Sequence, residues 1–272
     1  MTELSREQRL INVLGAEEKA SHRQIEWFLH RRKTVRLGIV LCDLAGYART
    51  RAIHAYFVEG DVEKCKQNFY LASKLILASL GLDGGASFEV GRDIQIALLS
   101  DCEEVIKAIA CVETPDLVKA RNDPLNNRFH VYMLQMAIRG EDQAVSAMIE
   151  KIAMHGRNPL RAECAESRDF FSLLLKRDKA ELENLIRKKH AGTKGSGAVA
   201  EDFMSYLGTL ETKLCWYRGI PVEIDHPLVP MELMPIRPLA QYDDVYDFLN
   251  PGWVSPPQGF LGKLSQLFSK IG

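Results

Sequence analysis

Residues 61–81 read DVEKCKQNFYLASKLILASLG, and their spacing decides the fold class. Val62, Cys65, Phe69, Ala72, Ile76 and Leu80 recur at intervals of three and four, which places them on one face of an α-helix. Asp61 is suited to cap the first turn, and Gly81 to sit just past the last in a left-handed conformation. Phe203, Tyr206, Leu207, Leu210, Leu214 and Tyr217 form a second stripe, stopped by Gly219 and Pro221. Shorter stripes contain Ile25, Phe28 and Leu29, and Val145, Met148, Ile149 and Ile152. Sustained alternation at period two is hard to find, so the spacing predicts an all-α chain.

Acidic residues mark the starts of successive predicted helices. Asp61, Asp101, Glu141 and Asp178 are separated by 40, 40 and 37 residues. Each is followed four positions later by Cys65, Val105, Val145 or Leu182, and eight positions later by Phe69, Ile109, Ile149 or Ile186. The expected architecture is a repeat-like array of stacked antiparallel helix hairpins, each burying one face on its neighbour. Capping preference alone could also produce four such acids.

The pattern changes after residue 218. Residues 219–257 hold most of the prolines, which forbid a long helix and favour an extended strap. Val222, Ile224, Leu228 and Val229 would pin it to the helical body, residues 1–218. Residues 258–272 form a short amphipathic tail carrying Phe260, Leu261, Leu264, Leu267 and Phe268. With only Lys263 and Lys270 as cations, the tail is a poor membrane anchor.

Composition narrows the function classes. The 272 residues carry 35 Lys and Arg against 36 Asp and Glu, a net charge of -1. No global positive field is present to hold a nucleic-acid backbone. The longest apolar stretches, Leu37 to Ala48 and Leu71 to Leu80, fall short of the ~20 residues that span a bilayer and read as core helices. The N-terminal MTELSREQRL lacks the basic-then-apolar order of a secretory signal. Cys42, Cys65, Cys102, Cys111, Cys164 and Cys215 are scattered, and reduced core thiols in a cytoplasmic setting are the expectation.

Motifs for chemistry are weak. The glycine-rich run Gly81 to Gly91 lacks the GK[ST] ending and preceding strand of a phosphate loop, and the GTKGSG run at Gly192, Gly195 and Gly197 fails likewise. The seven histidines form no HxxxH or HExxH pair, so no metal site is expected. His30 and His190 are placed at helix C-termini, where positive charge complements the dipole. Glu17-Glu18 and Glu103-Glu104 read as first-turn acids, and no GxSxG elbow occurs. No catalytic residue and no cofactor are assigned.

The strap is the distinctive surface. Glu223, Asp225, Glu232, Asp243, Asp244 and Asp247 are opposed by Arg237 alone, with Tyr242, Tyr246 and Trp253 among or beside them. Acids that steer and aromatics that anchor suit a basic protein partner. The plainer reading is a solvated strap whose tyrosines pin it to the core.

The segment CWYRGIPVEIDHPLVPMELMPIRPLAQYDDVYDFL, Cys215 to Leu249, resembles the C-terminal region of the Immunity protein 49 family. The helix from Val35 to Val58, its Gly60-Asp61 turn and the helix beginning Arg128-Phe129-His130 are similar to that family's body, over roughly residues 30 to 250. The resemblance implies a cytosolic protein of a bacterial polymorphic toxin system that occludes a cognate toxin without catalysis. The predicted partner surface is then Glu223, Asp225, Glu232, Tyr242, Asp243, Asp244, Tyr246 and Asp247. A helical-repeat adaptor is the alternative, and an enzyme is a further one that a deep pocket lined by convergent polar groups would favour.

Overall fold

The computed structural model describes residues 4–192 and 199–256. It is all-helical, with no strand among those residues. The helices are α1 (Arg6–His30), α2 (Leu37–Phe57), α3 (Val62–Ser79), α4 (Arg92–Ser100), α5 (Glu103–Ala110), α6 (Pro115–Ala120), α7 (Asn127–Arg139), α8 (Asp142–His155), α9 (Leu160–Ala165), α10 (Phe170–Lys176), α11 (Lys179–Leu185) and α12 (Tyr206–Tyr217). Residues Ile186–His190 continue α11 as one π-helical turn.

Several helix starts carry oxygen-bearing side chains where orphan amides need acceptors, whereas α2, α4, α5, α8 and α9 have no side-chain cap bond. Asp61 accepts from the Lys64 amide, Thr114 from Leu117, Asp169 from Phe171 and Ser172, Asp178 from Glu181 and Ser205 from Gly208. Gly81 and Gly219 follow α3 and α12 with φ of +73° and +70°, a conformation that strains any residue with a Cβ. Phe203 lies in the turn before α12 rather than on it.

The four acids spaced through the sequence fall at the tight turns α2–α3, α4–α5, α7–α8 and α10–α11. Their roles differ. Asp61 and Asp178 cap through their carboxylates, whereas Glu141 stands at the cap position without a side-chain cap bond. Asp101 departs from the expectation most: it ends α4 in the left-handed region, φ 57°, and Cys102 takes the cap position of α5. Its carboxylate turns inward instead.

α2 packs along both α1 and α3, α3 against α4 and α5, and α4 against α12. Further along, α7 meets α5, α6 and α8, and α8 meets α9 and α10. One apolar core runs from Leu10 and Phe28 of α1 through Leu44, Phe69, Leu98, Phe129 and Leu174 to Leu210, and includes Val222, Ile224 and Leu233 of the strap. Val229 of the strap is buried in the same core, and Leu228 is half-buried.

Cys65, Cys102, Cys164 and Cys215 are buried, Cys42 is half-buried, and none of the six is in a disulfide. Cys111 is exposed, unlike the core thiol expected there, because α5 ends at Ala110 and the chain turns outward. Glu17 and Glu18 lie in the middle of α1 rather than in a first turn, because α1 starts earlier, at Arg6. No helix among the described residues is long and apolar enough to cross a membrane. The amphipathic tail 258–272, and Gly195 and Gly197, lie outside the described residues.

Candidate functional site

The strap crosses the body from its C-terminal helices back to α1. It leaves α12 with the Trp216 indole donating to the Val222 carbonyl, and the Ser205 amide donating to the Leu228 carbonyl. Strict alternation then follows: Val222 and Ile224 point inward and are buried, while Glu223 and Asp225 are exposed. Glu223 lies 3.8 Å from Lys179 of α11, with 82% of its side chain exposed.

The middle of the strap is clipped by buried charge. Lys213 Nζ of α12 donates to the carbonyls of Leu233 (2.6 Å) and Met234 (3.1 Å). The same ammonium pairs with Asp101 Oδ1 at 2.6 Å. Asp101 Oδ2 pairs with Lys66 Nζ at 2.8 Å and accepts from the Arg237 amide, and Lys66 donates to the Arg237 carbonyl at 2.7 Å. Burial pushes the Lys213 ammonium down to about 8, against the pull of Asp101. Two cations share one carboxylate, and the strap carbonyls complete the shells of both ammonium groups.

Beyond the clip the strap lies across α3. Gln67 holds Asp243 by both backbone groups, donating to its carbonyl at 2.8 Å and accepting from its amide at 3.1 Å. Tyr242 packs its ring 4.9 Å from that of Tyr70 and donates to the Ser100 carbonyl. Asp244 accepts from the Tyr70 hydroxyl at 2.8 Å and faces Lys74 at 3.4 Å. Burial, then this carboxylate, drives the Tyr70 phenol upward. Tyr246 stacks on Phe248, which lies against Phe28 of α1, and Arg32 covers both Phe28 and Trp253.

The predicted partner residues therefore divide. Glu223, Asp225, Glu232, Asp243 and Asp247 are exposed, although Glu232 also accepts from the Tyr56 hydroxyl. Tyr242, Asp244 and Tyr246 are half-buried and hold the strap to the body. The acids are spread along different helices: Glu223 at α11, Glu232 at the end of α2, Asp243 and Asp244 over α3.

A second polar constellation surrounds a cavity of about 380 Å³ beside α2. Cys42, Gly46 and Arg49 of α2, the 85–90 segment and Arg92 and Asp93 of α4 line it, with Ile76, Phe88 and Ile96 as apolar wall. Among the described residues no hydrogen bond or ion pair engages Arg49 or Asp93. Burial, and then the neighbouring Arg92, lower the Arg49 guanidinium to about 10, and burial raises the Asp93 carboxyl to about 6 against the pull of Arg92 and Arg49. Arg92 itself is paired with Glu201 at 2.8 Å. The glycine-rich connection joins α3 to α4 and forms one wall of this cavity.

His190 does not simply cap a helix C-terminus. It sits in the π turn, with Nδ1 2.5 Å from the Glu211 carboxylate. Burial of the imidazole is outweighed by Glu211, so its proton is held more tightly than usual. His130 packs edge-on against Phe171, and burial lowers it to about 4. No group of three or more His, Cys, Asp or Glu side chains able to hold a metal occurs among the described residues.

The signal for the missed residues was charge at apolar helix positions. Lys66 lies between Val62 and Phe69, Lys213 between Leu210 and Leu214, and Arg49 between Ala48 and Ala52. A cation inside an apolar stripe needs a buried partner or a ligand. Compared with protein families, curated proteins and solved structures, the chain matches none.

Proposed function

We propose that this chain is an immunity protein that binds a cognate bacterial toxin and neutralises it by occlusion. The observation that carries the reading is the state of the strap. Its backbone is fixed by Lys213, Asp101, Lys66 and Gln67, while Glu223, Asp225, Asp243 and Asp247 remain exposed. A preorganised acidic surface loses little entropy on binding and steers a basic partner. Occlusion needs about 1,600 Å² of total interface and no reactive group. The resemblance of Cys215 to Leu249 to the Immunity protein 49 family supports the same role.

The test is co-expression with the toxin encoded beside the gene. Lysine substitutions at Glu223, Asp225, Asp243 and Asp247 should abolish protection while the protein still folds. Undiminished protection by that folded variant would count against the strap as the contact surface. A helical-repeat adaptor would instead bind partners unrelated to any neighbouring toxin. The cavity at Arg49 and Asp93 favours a second reading, action on a small molecule, for which turnover by the purified chain is the assay.

A further inference from the structure

The geometry points to a binding site for a small organic anion in the cavity between α2 and α4, with Arg49 and the first turn of α4 holding a carboxylate or phosphate head. Three observations converge there. Arg49 brings a guanidinium with five donors into the cavity; the carboxylates of Glu201, Glu17 and Asp93 attract it, but none is within ion-pair or hydrogen-bond reach. α4 opens onto the same space through Arg92 and Asp93, and its cap residue Gly91 has no side chain to occupy the first-turn amides. Those amides and the helix dipole favour negative charge. The volume of about 380 Å³ is in the range of small-molecule sites, and Ile76, Phe88 and Ile96 would receive an apolar body.

Asp93 decides how such a ligand responds to pH. Facing it are Arg49 and Cys42 of α2, Glu89 of the connecting segment, Tyr206 of α12 and Arg92 on its own helix, while Glu201 and Glu17 of α1 act on Arg49. Glu89 is drawn away to Arg128. Protonated Asp93 can donate a hydrogen bond to an anion, whereas ionised Asp93 repels it. With its carboxyl raised to about 6, anion binding should weaken as pH climbs through that value.

Phenylacetate and phenyl phosphate, titrated calorimetrically into the full chain, test the site, with phenylacetamide and benzylamine as uncharged and cationic controls. At least one anion should bind saturably at millimolar concentration or below, and the stronger of the two identifies the head group. Arg49→Met should weaken that binding at least tenfold. Gly46→Leu is the second variant: Gly46 is exposed at the cavity's edge and a Cβ there meets nothing within 4 Å, so a leucine should narrow the entrance and weaken binding without a clash. Asp93→Asn should flatten the pH dependence of phenylacetate binding. Failure of both anions to bind, benzylamine binding better than phenylacetate, or unchanged affinity in Gly46→Leu would overturn the assignment.

Discussion

Lys213 Nζ lies 2.6 Å from Asp101 Oδ1, with both side chains fully buried, and this pair fixes the strap to the body. Asp101 comes from the α4–α5 turn, Lys213 from α12, and the carbonyls of Leu233 and Met234 complete the ammonium's shell. Lys66 Nζ, 2.8 Å from Asp101 Oδ2, is the second cation on the same carboxylate, so the two partners of the pair are not equivalent.

The clip should therefore respond asymmetrically to substitution. Lys213→Met leaves Asp101 paired with Lys66, and a loss of about 3 kcal/mol is expected. Asp101→Asn leaves two buried ammonium groups facing each other, and should cost at least as much, in the range of about 3–5 kcal/mol. Urea unfolding of the two variants gives the order. A more stable Asp101→Asn variant would contradict the clip as described.

Acids on the strap should separate into two kinds. Asp244→Lys places a cation beside Lys74 and removes the acceptor for Tyr70, so it should destabilise the protein. Glu223→Lys and Asp225→Lys touch exposed positions and should change stability by no more than about 0.5 kcal/mol. Under the proposed function their effect belongs on the association rate with a cognate toxin, which should fall and lose part of its salt dependence. Stopped-flow association at two ionic strengths, alongside thermal melts, distinguishes the groups.

His130 gives a pH dependence of defined sign. Its folded-state pKa is about 4, below the ordinary value of 6.5, so the unfolded chain binds the extra proton between those values. Stability from this group is complete above 6.5 and declines as pH falls toward 4, with a slope of at most ~1.4 kcal/mol per pH unit. His130→Phe should flatten that part of the stability profile, measured by urea unfolding across the window. A slope unchanged by the substitution would reject the assignment.

The far end of the strap is held by rings rather than ions. Phe28 lies 4.4 Å from Phe248 and 5.9 Å from Trp253, with Arg32 over Phe28 at 4.4 Å. Trp253→Ala should raise amide exchange across residues 246–253 while leaving the clip at 233–237 protected. Uniform loosening of the strap would show that clip and ring cluster are one cooperative unit.

The helices were legible because burial and period coincide in segments such as Val62 to Leu80, where capping by Asp61 and termination at Gly81 follow from local chemistry. The strap's in–out alternation at Val222 to Asp225 was equally open to reading. What the chain could not disclose alone were meetings of distant residues. Asp101 resembles a helix cap in sequence, and only packing of α3, α4 and α12 brings Lys66 and Lys213 to it. Arg49 and Asp93 are 44 positions apart, and their shared cavity depends on how α2 and α4 pack. Tyr242 and Tyr246 carry the same side chains whether they face a partner or the core, and the ring of Tyr70 is what draws Tyr242 inward.

The proposal that covering a toxin is this protein's work is tested most directly by deleting its gene alone and together with the gene of the toxin it is proposed to neutralise. With an immunity role, the single deletion poisons the cell, or leaves it open to killing by its kin, and the double deletion restores growth. Equal growth of the single deletion and the wild type under conditions where the toxin is made would contradict it.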